Sequence, residues 1–295
     1  MKISIVDAFT RTAGAGNRAG VVLDATGLDE PTMQRIAAAV GAAETAFVLA
    51  PPSEGVVRLR YFTPSDEIDF CGHATVATFH LLSEHGLLAR SGSYRLECPA
   101  GAFDVELEPV DARHGLVWIV TPQYPWRPSP LSLDFLIPLL GGTSQGVDSS
   151  LPVLASGHKL FVPLRRREDV WALAPRFEPL VAAMQPHGLR GVFAFSRETK
   201  EAGNATHSRY FAPGFGVPED PVTGSAHGPL AEYLVHHGVL KLPQAGGLLR
   251  ARGEQGDSMG KPGRVELEVK GRPGAIERTR IGGPAVTVIE GELRA

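Results

Sequence analysis

Glu44 is the only charged residue between Ile36 and Ser53, in the stretch IAAAVGAAETAFVLAPPS. Burying an ionised carboxylate without partners is costly, so this side chain is expected to be hydrogen-bonded or partly neutral with a raised pKa. A raised pKa suits a group that takes a proton and returns it. The bland alternative is an acid at a helix-to-strand boundary, facing solvent. A second acid, Asp220, precedes Ser225 and His227 in PEDPVTGSAHG, where Asp220 or Thr223 could equally cap a helix. His73 begins a segment with no Asp, Glu, Lys or Arg from Ala74 to Ser83, and it reads either as a satisfied core histidine or as a polar contact in a cleft. Cys71, a lone thiol before Gly72, is more often a small buried hydrophobe than a nucleophile.

These residues sit in a duplicated pattern. Residues 60–88, RYFTPSDEIDFCGHATVATFHLLSEHGLL, are matched by RYFAPGFGVPEDPVTGSAHGPLAEYLVHHGVL from residue 209. Arg60, Tyr61, Phe62 and Pro64 align with Arg209, Tyr210, Phe211 and Pro213. From Gly72 to Leu88 the register continues without a gap against Gly224 to Leu240, at an offset three residues larger. The three extra residues are expected between strand and helix. GNRAGVVL from Gly16 and GHKLFVPL from Gly157 support the same register. A period near 150 residues exceeds that of solenoid repeats, so each copy is expected to bury its own core.

Within each copy the reading is strand, loop, helix. VVRLRYF alternates as a half-buried strand does, while the uncharged segments after Gly72 and Gly224 predict helices buried all round, ending at Gly86 and Gly238. Short strand-like runs dominate elsewhere. The fold class expected is α+β: two similar pseudo-repeat domains, each a strongly bent, mostly antiparallel sheet wrapped around a central helix. The Pro-rich stretch 121–132 places the crossing near residue 125, giving domains 1–125 and 126–295, with the last strand near 284–295 able to return to the first. Helix starts led by Gly72 and Gly224 could aim unpartnered N–H groups at one anion in a cleft between the halves. The competing reading is that both glycines merely allow close packing.

A net charge of -3 and 43% hydrophobic residues leave no basic excess for nucleic acid or an anionic membrane, so a small molecule is the expected partner. Two cysteines, Cys71 and Cys98, are too few for a disulfide framework. With no apolar run long enough for a leader or a span, a cytoplasmic location is expected. AGAGNRAG leads into a strand and not a helix, so no nicotinamide cradle is indicated. Asp69, Cys71 and His73 alternate without a second ligand cluster, so no metal is expected. TGSAHG has Thr223 where a nucleophile elbow needs glycine.

Taken together, ETAFV, DFCGHATVAT, EDPVTGSAHG and EQGDSMGKP, with VDAFT and GNRAGVVL ahead of them, resemble the PhzF-like family of phenazine-biosynthesis isomerases over essentially the whole chain. The resemblance implies the diaminopimelate-epimerase-like fold and a homodimer working without cofactor or metal. It implies Glu44 as the general acid/base, and Asp220, His73 and Ser225 as residues that position substrate and assist proton movement. Gly72 and Gly224 lie at the helix starts that would hold a carboxylate. The related epimerases use one cysteine per half, whereas Thr223 stands opposite Cys71. Lys261 replaces an arginine usual in the EQG motif and cannot make the same forked contact.

The leading expectation is an isomerase that transfers a proton at carbon on a small carboxylate-bearing substrate, similar to dihydro-hydroxyanthranilate isomerase. An epimerase or racemase using Cys71, and a non-catalytic metabolite-binding protein, are the alternatives.

Overall fold

The alternation in VVRLRYF and HSRYFA becomes two strands that play the same part in two successive units. The computed structural model describes residues 1–111 and 114–293. In chain order the first elements are β1 (Lys2–Ala8), β2 (Asn17–Val22), α1 (Glu30–Val40), β3 (Glu44–Val48), β4 (Val56–Phe62), β5 (Glu67–Ile68) and α2 (Gly72–Glu84), followed by β6 (Gly92–Cys98), β7 (Gly101–Pro109) and β8 (Gly115–Thr121). Next come β9 (Trp126–Pro128), α3 (Leu133–Leu139), β10 (Leu154–Ser156), β11 (Lys159–Leu164), α4 (Arg167–Trp171), α5 (Phe177–Met184), β12 (Gly191–Ser196), β13 (Thr206–Ala212), β14 (Val217–Asp220) and α6 (Gly224–His236). The chain closes with β15 (Gly247–Gln255), β16 (Gly263–Arg272), β17 (Ala275–Gly283) and β18 (Ala285–Glu292). It divides into two compact units, Met1–Thr121 with Arg280–Ala295, and Pro122–Thr279.

The duplication is visible in the strand ladder. In the first unit β1 runs antiparallel to β2, β2 parallel to β3, and β3 antiparallel to β4; β4 then pairs antiparallel with β5 and parallel with β6, which pairs antiparallel with β7. In the second unit β10, β11, β12, β13, β14, β15 and β16 repeat that sequence of partners and directions. The architecture is α+β, with mostly antiparallel pairing. β18 pairs antiparallel with β1, Ala285 opposite Ala8.

The matched hairpins share a charged clasp. Arg60 donates twice to Glu67, at 2.6 and 2.5 Å, and Arg209 donates twice to Glu219, both at 2.8 Å. Each guanidinium also lies over the ring two residues on, Phe62 or Phe211. Such forked pairs combine charge with fixed geometry. They also narrow where the three extra residues fall between strand and helix: Glu67 lies seven positions after Arg60, and Glu219 ten after Arg209. The insertion therefore lies within the hairpin, between the arginine and the glutamate, and the stretch from Glu67 or Glu219 to the helix start keeps one length.

Both central helices are buried along most of their length. Residues from His73 to Phe79, with Leu81 and Leu82, are buried in α2, which contacts β1, β2, β3, β8 and β18. Thr75 and Thr78 satisfy their hydroxyls on the carbonyls one turn back, Cys71 and Ala74. In α6 the apolar residues Ala226, Leu230, Tyr233 and Leu234 join Phe161, Phe193, Phe195 and Tyr210 in one core. Gly86 and Gly238 take positive φ, 70° and 69°, just past the two helix ends. Among the described residues no helix is long and apolar enough to cross a membrane.

Candidate active site

Glu44 is the first residue of β3, lying beside Ala19 of the parallel β2, and His73 is the second residue of α2. This local geometry brings together residues 29 positions apart in sequence. His73 Nε2 stands 3.0 Å from Glu44 Oε2, with only 8% and 15% of the two side chains exposed. Oε2 is buried and out of line for a full hydrogen bond, so the contact is mainly an ion pair that leaves an oxygen lone pair free. On the other side of the ring, the Asn17 amide lies 3.2 Å and the Cys71 sulfur 3.4 Å from Nδ1.

The electrostatics correct the sequence expectation of a raised Glu44 pKa. Burial would push the carboxyl up, but the adjacent His73 outweighs it and holds Glu44 below the ordinary carboxylate value. For His73, burial opposes the charged ring, while Cys71 and Glu44 raise it well above the usual histidine value. Burial chiefly pushes the Cys71 thiol up and keeps it protonated, so Glu44 is the charge that sustains the imidazolium. The pair is ionised at neutral pH, and Cys71 is a poor base.

In the second unit β14 ends at Asp220, and Thr223 precedes α6. The Thr223 hydroxyl donates to Asp220 Oδ2 at 2.5 Å. Gln255, at the end of β15, brackets the same turn: its Oε1 accepts from the Thr223 N–H at 3.0 Å, and its Nε2 donates to the Asp220 carbonyl at 2.7 Å. Gly256 has φ 86°, and a Cβ there would sit 2.2 Å from the Lys261 carbonyl oxygen, so the EQG turn requires glycine. The exposed Lys261 serves this turn through its backbone, donating its N–H to the Gly256 carbonyl at 3.0 Å. The Gln255 contacts to Thr223 and Asp220 do not involve the Lys261 side chain.

Neither α2 nor α6 has a side-chain cap hydrogen bond at its start, so the first-turn amides at Gly72 and Gly224 have no side-chain partner there. Ser225 is exposed in the first turn of α6. His227 is a core residue: it is fully buried, its Nδ1 bonds the Thr223 carbonyl at 2.9 Å, and burial pushes its pKa down to about 4. It is neutral at physiological pH.

Among the described residues two triads have metal-ligand types within reach of one another, Glu44 with Cys71 and His73, and His207 with Glu254 and Asp257. In the first triad Glu44 and His73 already pair with each other at 3.0 Å. In the second triad His207 Nε2 accepts from Trp171 at 2.6 Å and its Nδ1 bonds Glu254 at 2.8 Å. Glu254 also accepts from the N–H groups of Lys200 and Glu201 and from the Asn204 amide. With those groups engaged, the arrangement is a buried brace for the EQG strand. Sequence reasoning missed the roles of Asn17 and Gln255 in these sites. Both lay in quoted motifs, GNRAGVVL and EQGDSMGKP.

Comparison with known proteins agrees with the geometry. The model of the phenazine biosynthesis-like protein family PhzC-PhzF matches residues 6–291. The uncharacterized isomerase YddE of Escherichia coli K12 is 36% identical, covering 97% of this chain and 96% of that protein. The trans-2,3-dihydro-3-hydroxyanthranilate isomerase of Pseudomonas chlororaphis is 32% identical, covering 98% of each. Among solved structures, a PhzF-family protein of Bacillus anthracis superposes with a TM-score of 0.90 at 31% identity, covering 100% of this chain and 99% of that one. With near-complete coverage by the family model, by relatives named as isomerases and by a solved PhzF-family structure, the chain belongs to the phenazine biosynthesis-like PhzC-PhzF family and is an isomerase.

Proposed function

We propose that the protein isomerises a small carboxylate-bearing substrate by moving a proton from one carbon to another without a cofactor; its Pseudomonas chlororaphis relative is named trans-2,3-dihydro-3-hydroxyanthranilate isomerase. The observation that carries this reading is the ionised Glu44–His73 pair at the start of a buried helix. The Glu44 carboxylate is the base that removes the proton, and the resulting acid delivers it at the second carbon. His73 keeps Glu44 ionised between turnovers. Asp220 and Ser225 position the substrate and assist proton movement, and amides at Gly72 and Gly224 stabilise its negative charge. On the family resemblance, it does so as a homodimer in the cytoplasm.

An epimerase based on Cys71 would need a thiolate, which burial disfavours, and a second base where the repeat supplies Thr223. Incubation with trans-2,3-dihydro-3-hydroxyanthranilate in deuterated water separates the readings. Solvent deuterium in a product with a shifted double bond supports the isomerase. An inverted but otherwise unchanged skeleton, or no conversion of the substrate at all, overturns it.

A further inference from the structure

A row of polar groups in the second unit remains outside this account. Strand register places Ser156 opposite Lys159, Lys159 opposite Gly191, and Tyr210 opposite both Phe193 and Asp220. Directly paired strand residues share a face, as do residues two apart. Ser156, Lys159, Tyr210 and Asp220 therefore lie on one face, the one that carries Phe161 and Phe193 against α6.

Gly191 makes the row continuous. A Cβ there would stand 2.5 Å from the Tyr210 hydroxyl, so the phenol reaches across the bare glycine toward the strand that bears Lys159. Tyr210 is only 4% exposed, and its hydroxyl has no hydrogen-bond partner. The Ser156 hydroxyl, buried in the same row, also lacks one. Part of the Lys159 surface meets solvent, yet enough protein surrounds the ammonium that burial pushes its pKa down to about 8, against the pull of Asp220. Among the described residues it forms no ion pair within 4 Å. Asp220 and Arg190 are the other charged groups that act on Tyr210.

Buried donors left without acceptors are uncommon and costly. An ammonium and two hydroxyls side by side call for a ligand with several acceptor positions and negative charge, which a carboxylate offers. Asp220 at the end of the row would repel such a ligand, and Lys159 is the group placed to offset it.

The geometry points to Lys159, Tyr210 and Ser156 as a carboxylate-binding subsite for the small substrate. This inference rests on the proposed function and names side chains of the second unit that would hold the acid group.

Calorimetric titration of the full chain with anthranilate and with anthranilamide, which keeps the ring and amine but lacks the charge, tests it. Wild type should prefer the acid. Lys159→Met should weaken anthranilate by about ten- to a hundredfold and leave anthranilamide unchanged. Tyr210→Phe should also weaken anthranilate without lowering the melting temperature, because the free protein loses only an unpaired hydroxyl. A wild type with no preference for the acid, or a Lys159→Met variant that loses both ligands equally, overturns the subsite. Glu44→Gln should keep the preference for anthranilate while losing proton exchange. A variant that kept full exchange would count against the proposed base and leave the subsite standing.

Discussion

His73 faces the Glu44 carboxylate with Nε2, at 3.0 Å, and the Asn17 amide with Nδ1, at 3.2 Å, so one ring couples the GNRAGVVL strand to the acid on the neighbouring strand. Its orientation is fixed from both sides, and its charge is maintained from one.

The pair fixes the direction of the pH dependence. Glu44 acts while ionised, and its pKa is lowered, so the acid limb of kcat/KM should lie below the ordinary carboxylate range. Replacing His73 by Gln leaves burial unopposed, so this limb should move to higher pH. Stability follows the same linkage. The contribution of Glu44 is present above its unfolded value and is lost as pH falls through the folded value. That of His73 is full below its unfolded value and is lost as pH rises through the raised one. Urea midpoints of wild type and His73→Gln across pH should converge at both extremes; parallel curves would contradict the ion pair.

Cys71 is buried, and burial keeps its thiol protonated. Cys71→Ala should cost about 1 kcal/mol of stability for the lost packing and leave turnover nearly unchanged. The native thiol should resist iodoacetamide until the protein unfolds. Loss of turnover in this variant with folding intact would favour the thiol-based epimerase.

Gln255 holds both the Thr223 N–H and the Asp220 carbonyl. Gln255→Ala should destabilise the protein by about 1–3 kcal/mol, because two buried groups lose their partner. If Asp220 helps position substrate, KM should rise more than kcat falls. Unchanged kinetics alongside the stability loss would assign Gln255 to folding alone.

What the sequence made legible follows from what each feature depends on. The duplicated hairpins and buried helices were readable because RYF, the paired glycines and the missing charges are local patterns. Glu44 stood out as a lone charge for the same reason. The direction of its pKa was not readable, since that depends on a histidine 29 residues away brought alongside by the start of α2. The place of the insertion was hidden as well. Only the matching Arg60–Glu67 and Arg209–Glu219 clasps show that the extra residues lie within the hairpin. Gln255 and Asn17 stood in recognised motifs, but their partners belong to other strands and helices, and no spacing in the chain announces them.

The brace around Glu254 should be the acid-sensitive part of the second unit. His207, two backbone amides and Asn204 overcome the effect of burial and hold its carboxyl down to about 2. Its stabilisation is therefore present above the unfolded value and lost as pH falls toward 2. Glu254→Gln should cost about 3 kcal/mol near neutrality and remove that part of the acid transition. An unchanged acid unfolding curve would contradict this.

The most direct test of the proposed chemistry is solvent-deuterium incorporation by Glu44→Gln, measured by mass spectrometry with trans-2,3-dihydro-3-hydroxyanthranilate beside wild type. The variant preserves shape and removes the proton acceptor, so incorporation should fall by about a hundred- to ten-thousandfold while circular dichroism stays native. A folded Glu44→Gln protein that exchanged deuterium at the wild-type rate would contradict the assignment of Glu44 as the base.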